Sequence, residues 1–258
     1  MTVESALEAV LDRMQREERP SISFELTGAE LTRMFGRVLP HAATDVDPDA
    51  VAAEPLLYVH IEATPESLRL MATDRFTMAV TTWELEYLLA GDDSAPFTLA
   101  LRAAPLASTL ATVDAGETYT LTLTGGAYDS DDDGGSSGLT IRHPSGLSVH
   151  LSSAWVPINW RSVLAPALAA PQTLDESGIL VNPHYLARFA TAADGGGTPL
   201  VMRPAGEGKP IIITCGTHFL GAVMPMTPSD DARVDIDSAL SYWRSICDRA
   251  GAPWMPTS

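Results

Sequence analysis

One order of elements occurs three times along this chain of 258 residues: a short strand, an amphipathic helix, then a meander of three strands. In the first pass, residues 21–26 alternate polar and apolar side chains, and Thr27 with Glu30 forms a capping-box signature. A helix over 28–39 then turns Leu31, Met34, Phe35 and Val38 to one side, and strands follow at 56–63, 67–73 and 77–83. The second pass reads strand 97–101, helix 103–113, and strands 119–124, 138–143 and 147–152, the last two across a Pro144-Ser145-Gly146 turn. In the third, Ile179, Leu180 and Val181 form a strand, Asn182 caps and Pro183 opens a helix to about residue 193, and strands lie at 200–203, 210–215 and 219–224. Identity between the three is low, so the repeat is one of pattern.

Such a unit fits an α+β fold. One helix covers part of a four-stranded sheet, and two units side by side let sheets continue while helices share a face. A lone unit leaves a sheet edge exposed. With three units, one pair completes itself within the chain and the third must find a partner. The segments between units read as loops: 41–55 is rich in Asp and Ala, 125–137 embeds Asp129 and Asp131 to Asp133 in glycine and serine, and 157–177 is an Ala- and Pro-rich linker. Residues 3–14 place Val3, Leu7, Val10, Leu11 and Met14 at helical spacing. Residues 236–250 do the same with Leu240, Trp243, Ile246 and Cys247.

Charge narrows the function. Thirty-three acids against sixteen bases give a net charge of −17, which repels nucleic acid and anionic membranes over the surface as a whole. Any DNA contact must be local, on a face where the few arginines gather. No apolar run is long enough to span a bilayer, and residues 1–20 mix charges into their apolar positions unlike a signal peptide, so a cytoplasmic location is expected. No catalytic constellation stands out and no cofactor is expected. The six histidines lack metal-ligand spacing, the aspartates at 129–133 have no glutamate where a calcium loop needs one, and no glycine-rich phosphate loop precedes a helix. Cys215, in an apolar run, reads as a small buried hydrophobe.

Four stretches in order resemble the bacterial DNA polymerase sliding clamps, the DNA polymerase III beta subunit family. They are Leu70-Met71-Ala72-Thr73-Asp74-Arg75-Phe76-Thr77-Met78-Ala79-Val80, Trp155-Val156-Pro157 with Trp160-Arg161-Ser162-Val163-Leu164, Ile179-Leu180-Val181-Asn182-Pro183-His184-Tyr185-Leu186, and Phe219-Leu220-Gly221-Ala222-Val223-Met224-Pro225-Met226. The resemblance implies a divergent, shortened clamp: a helical extension over 1–20, a middle-type clamp domain over 21–155, a connector over 156–178, half of a last domain over 179–228, and a terminal helix and tail over 229–258. Clamps of this family encircle double-stranded DNA, helices inward, and tether polymerases and other replication proteins through short linear peptides.

By position, the implied peptide pocket is made of Thr73, Arg75, Phe76, Thr77 and Met78 with Met224, Pro225 and Met226, and Leu164 and Pro166 of the connector nearby. Thr77 and Thr227 stand where the family commonly has basic residues, so peptide preference is expected to differ. The DNA-facing candidates are Arg33, Arg37, Arg102 and Arg188. Two functions are implied: a homo-oligomeric processivity factor holding a polymerase on DNA, or a clamp-derived adaptor that binds replication proteins without enclosing DNA. No counterpart of the family's first domain, or of the first half of its last, is visible in this sequence, and ring closure by the family's ordinary route does not follow.

Overall fold

Ile22, Phe24 and Leu26 alternate with polar neighbours and give the first strand, β1 (Ser21–Thr27), a single buried face. Its last residue starts the next element: Thr27 and Glu30 exchange side-chain and backbone hydrogen bonds in a complete capping box, and α1 (Gly28–Gly36) follows with Leu31, Met34 and Phe35 buried. The helix ends three residues short of the expected 39, giving way to a 3₁₀ turn (Leu39–His41), since Pro40 has no N–H to continue an α-helical ladder. A second 3₁₀ stretch (Val51–Leu57) occupies part of the expected loop. The computed structural model describes residues 20–45, 51–85, 96–126, 137–154, 158–170, 179–193, 197–206 and 208–226, with 238, 241 and 242 besides. The expected helix at 3–14, all but those last three residues of the helix at 236–250, and most of the aspartate-rich loop lie outside them.

The first meander is β2 (Tyr58–Ala63), β3 (Ser67–Thr73) and β4 (Thr77–Glu84). Then come β5 (Phe97–Arg102), α2 (Ala103–Leu110) and a second meander, β6 (Thr118–Thr124), β7 (Gly138–Arg142) and β8 (Ser148–Ser152). The leading strands are exchanged. β1 joins the second meander, with Thr27 opposite Thr118, while β5 joins the first, with Arg102 opposite Tyr58. All pairings are antiparallel.

The expected linker contains a helix, α3 (Trp160–Ala169), capped by Asn159 on the Ser162 amide and tolerating Pro166 inside it. A short α4 (Pro183–Ala187) then tightens into a 3₁₀ stretch (Arg188–Ala192) in place of the longer expected helix. Three strands end the described fold: β9 (Leu200–Pro204), β10 (Ile211–Cys215) and β11 (Phe219–Val223). Ile179, Leu180 and Val181 form no strand, a correction to the sequence reading, because no strand among the described residues lies beside them to supply a ladder. β11 pairs with β4, Ala222 opposite Met78, so one seven-stranded sheet runs β5-β2-β3-β4-β11-β10-β9 beside a four-stranded sheet β1-β6-β7-β8. The architecture is α+β.

Two apolar clusters hold these layers. The larger joins α1, α2 and both sheets through Leu31, Phe35, Leu70, Leu106, Leu121 and Ile213. The smaller lies on the seven-stranded sheet, where Met71, Met78, Val80, Ile212 and Ala222 meet Leu164 and Ala167 of α3. Cover on both faces explains why β3 and β4 are buried along most of their length, the threonines Thr73, Thr77 and Thr81 included. Burying Leu164 alone contributes about 2 kcal/mol. No described helix is long and apolar enough to cross a membrane.

Phe189 plugs the junction between β11 and the turn after α1. It is fully buried, 4.5 Å from the His41 ring and edge-on to Phe219. Gly221 makes room for it, since a Cβ there would stand 2.4 Å from Phe189 Cε1. Gly221→Ala is therefore expected to displace Phe189 and cost about 1–3 kcal/mol, read as a lower urea midpoint at unchanged slope. An unchanged midpoint would sink this account of the junction.

Burial, with a smaller push from the Arg188 charge and opposition from Asp74, lowers the His41 imidazole from 6.5 to about 4. His41 is thus neutral when folded and gains a proton near pH 6.5 when unfolded, so folding is favoured fully above that pH and progressively less between 6.5 and about 4. The loss amounts to about 3 kcal/mol over that window. His41→Leu is expected to flatten the pH dependence of stability there; a variant retaining the parent's slope would contradict the assignment.

Candidate functional site

Asp74 organises the tight turn between β3 and β4. Its Oδ1 accepts from the Phe76 amide at 3.0 Å, the Thr77 amide at 2.7 Å and Thr77 Oγ1 at 3.0 Å. Thr73 Oγ1 donates to the Thr77 carbonyl at 2.7 Å and accepts from the Arg75 amide at 3.3 Å. These bonds hold Arg75 at φ +80°, a left-handed conformation costing about 1–2 kcal/mol for a residue with a Cβ. The turn thereby pushes Phe76 outward, 51% exposed.

A second shoulder comes from the segment around α4. Arg188 Nη1 donates to Asp74 Oδ2 and, at 3.0 Å, to Thr77 Oγ1, and its guanidinium lies 5.1 Å over the Tyr185 ring. Tyr185 in turn stacks on Phe76, centroids 5.3 Å apart and planes 11° from parallel. Burial alone would raise the Asp74 carboxyl, but the Arg188 hydrogen bond and the Thr77 donors outweigh it and hold it below the usual carboxylate range.

The end of β11 completes the shelf. The Met224 amide donates to the Phe76 carbonyl at 2.8 Å, and the Met226 amide to the Leu180 carbonyl at 2.9 Å. Thr73 to Met78 and Met224 to Met226 thus meet side by side. Met224 is 39% and Met226 53% exposed, Pro225 is half-buried, and Thr73, Thr77 and Met78 are buried beneath them. From the connector, Leu164 is fully buried and Pro166 exposed. Val163 and Leu168 of α3 are exposed apolar side chains outside the expected set. Reading 160–169 as a helix would have found them; Pro166 hid that signal.

Glu62 of β2 anchors α3. It accepts from Arg161 at 2.5 and 2.6 Å and from Trp160 Nε1 at 3.0 Å, with Arg69 at 3.7 Å. The Arg161 hydrogen bond is the main cause that holds its carboxyl below the usual range. A small cleft of about 100 Å³ adjoins this anchor, lined by Met71, Ile158 and Trp160 among others.

Of the four arginines expected on a DNA-facing surface, Arg33 and Arg37 line one cleft, whereas Arg102 and Arg188 lie outside its lining. Arg33 lies 5.1 Å over the Trp83 ring in a cleft of about 430 Å³ that also holds Glu25, Glu30 and Glu84. Arg37 is buried, with Nη1 3.4 Å from Thr81 Oγ1. Arg102 bonds Tyr58 Oη at 3.2 Å and pairs with Glu54 at 3.8 Å. Arg188 is the Asp74 partner. Among the described residues, no group of three or more His, Cys, Asp or Glu side chains could hold a metal, and Cys215 is buried beside the Thr198 carbonyl.

No protein-family model matches the sequence, and no curated protein matches it. Solved structures do. A protein from Eubacterium rectale assigned as a DNA polymerase III beta subunit superposes with a TM-score of 0.59 at 9% identity, over 80% of this chain and 66% of that one. The beta sliding clamp of C. crescentus gives 0.55 at 12%, over 82% and 66%. The DNA polymerase III subunit beta of Pseudomonas aeruginosa gives 0.55 at 13%, over 82% and 68%. The chain thus spans about two thirds of the length of these proteins. At such low identity the likeness speaks for architecture: this chain has the fold of the DNA polymerase III beta sliding clamps.

Proposed function

We propose that this protein is a clamp-fold tether that captures short peptides of replication proteins on the shelf between β4 and β11. The observation that supports the reading is the meeting of Phe76, Met224 and Met226 across the Met224–Phe76 backbone bond, three exposed apolar side chains over a buried floor. Methionine adapts to varied apolar anchors, and a flexible peptide must bury apolar surface to offset its ordering cost. The strained Arg75 turn, locked by Asp74 and Arg188, presents Phe76 before any ligand arrives. Such pre-organisation favours binding.

A processivity factor and a non-encircling adaptor would share this shelf. Charge favours the adaptor. Arg37 and Arg188 are engaged inside the fold, Arg102 is exposed but paired with Glu54, and the exposed positions of α2 are Ala104, Pro105, Ala107 and Ser108, which offer no cation to a phosphate backbone. Two measurements test these statements. Met224→Asp is expected to weaken binding of a fluorescently labelled clamp-binding peptide at least tenfold with the circular dichroism spectrum unchanged; full affinity in the variant would remove the shelf as the docking ground. On immobilised DNA, the adaptor is expected to elute alike from closed circular and linear molecules, whereas selective retention on circles would establish encirclement.

A further inference from the structure

In the part of this molecule where two strand-helix-meander units lie together, each gives its leading strand to the other. β1 ends at Thr27, the cap of α1, and pairs there with Thr118, the first residue of β6. β5 ends at Arg102, in the capping position of α2, and pairs there with Tyr58, the first residue of β2. The exchange closes the outer edge of both meanders.

The third unit holds both halves of such an exchange, unused. Ile179, Leu180 and Val181 precede the Asn182 cap of α4 as β1 and β5 precede their helices, yet they join no strand, and Ile179 is 43% exposed. β9 leads its meander as β2 and β6 lead theirs, yet it is the edge of the seven-stranded sheet. Its Val201 and Met202 are 44% and 43% exposed, where β2 is buried along nearly its whole length. α4 has no fully buried side chain, only Tyr185 and Leu186 packed partly against the core, whereas α1 and α2 each bury a stripe. The two halves cannot meet within one copy, because the Leu180 carbonyl is bonded to Met226 just beyond β11, and β10 lies between β11 and β9.

We propose that two copies of this chain complete each other by reciprocal exchange, Ile179, Leu180 and Val181 of each adding antiparallel to β9 of the other about a two-fold axis. Backbone polarity sets the pairing. The Ala205 amide donates to the Pro210 carbonyl, so Arg203 and Val201 direct their peptide groups to β10, and Leu200 and Met202 direct theirs to the open edge. With Leu180 turned to Met226, the peptide groups of Ile179 and Val181 face away from it once the segment is extended. Of the registers this polarity allows, the one that keeps the helix cap beside the start of the meander, as in the other two units, sets Val181 opposite Leu200 of the second copy and Ile179 opposite Met202. Arg203 is the one charge among these residues, so apolar side chains meet without a like-charge clash. The proposal is independent of peptide capture on the shelf.

Light scattering on the full chain is expected to give twice the 27.5 kDa of one copy. Ile179→Lys and Met202→Asp are each expected to dissociate it at a concentration where the parent is fully paired, and combining them, which sets Lys opposite Asp twice per dimer, to restore the doubled mass. The double variant also guards against a single substitution that merely unfolds the chain. A monomeric parent, a dimer indifferent to both single substitutions, or a double variant that folds but stays monomeric would overturn the exchange.

Discussion

Everything distinctive in this molecule depends on the antiparallel seam between β4 and β11. A strand edge presents a row of unpaired N–H and C=O groups, and burying such a row unsatisfied costs more than most packing contacts return. Pairing Met78 with Ala222 and Ala79 with Gly221 satisfies both edges at once and brings Phe189 into the space that Gly221 leaves. The same seam places Arg188 within reach of Asp74 and the Met224 amide on the Phe76 carbonyl. The candidate shelf is thus a by-product of joining two sheets, and its geometry is as rigid as the seam itself.

Cover on the second face of the seven-stranded sheet adds a further constraint. Leu164 and Ala167 of α3 pack on Met71, Met78 and Ile212, and the Glu62–Arg161 pair fixes the helix at its other end. That pair is half exposed on the arginine side, so its main effect is orientation, with little net stability. The methionines divide accordingly. Met71 and Met78 belong to the core, and Met224 and Met226 retain the surface that a ligand could cover.

Local signals were legible in the sequence, and non-local ones were not. Alternation at Ile22, Phe24 and Leu26, the Thr27–Glu30 box, and the Pro144-Ser145-Gly146 turn each act within a few residues, and each was found where the pattern put it. The meeting of the Thr73–Met78 stretch with Met224 was legible only through resemblance, since residues some 150 positions apart leave no periodicity. Pro166, a residue that breaks most helix interiors, disguised α3 as a linker. Spacing sets Arg37 on the polar side of its helix, among the DNA-facing candidates, but says nothing of the neighbouring strand that buries it at Thr81. Ile179, Leu180 and Val181 had strand composition without a strand, because β-structure is a property of pairs.

The acidic balance bears on how any assembly could form. Two bodies each carrying −17 repel, and in physiological salt that repulsion is screened over about 8 Å, so the charges that decide association are those at the contact itself. Ile179, Leu180 and Val181 contain no carboxylate, and β9 contributes one arginine and no acid. Across the shelf the one carboxylate in the turn, Asp74, is already neutralised by Arg188. Both surfaces argued to bind partners are therefore locally free of the charge that makes the remainder of the molecule repellent. That arrangement lets general repulsion suppress non-specific contact while leaving backbone pairing and apolar burial to act at two chosen places.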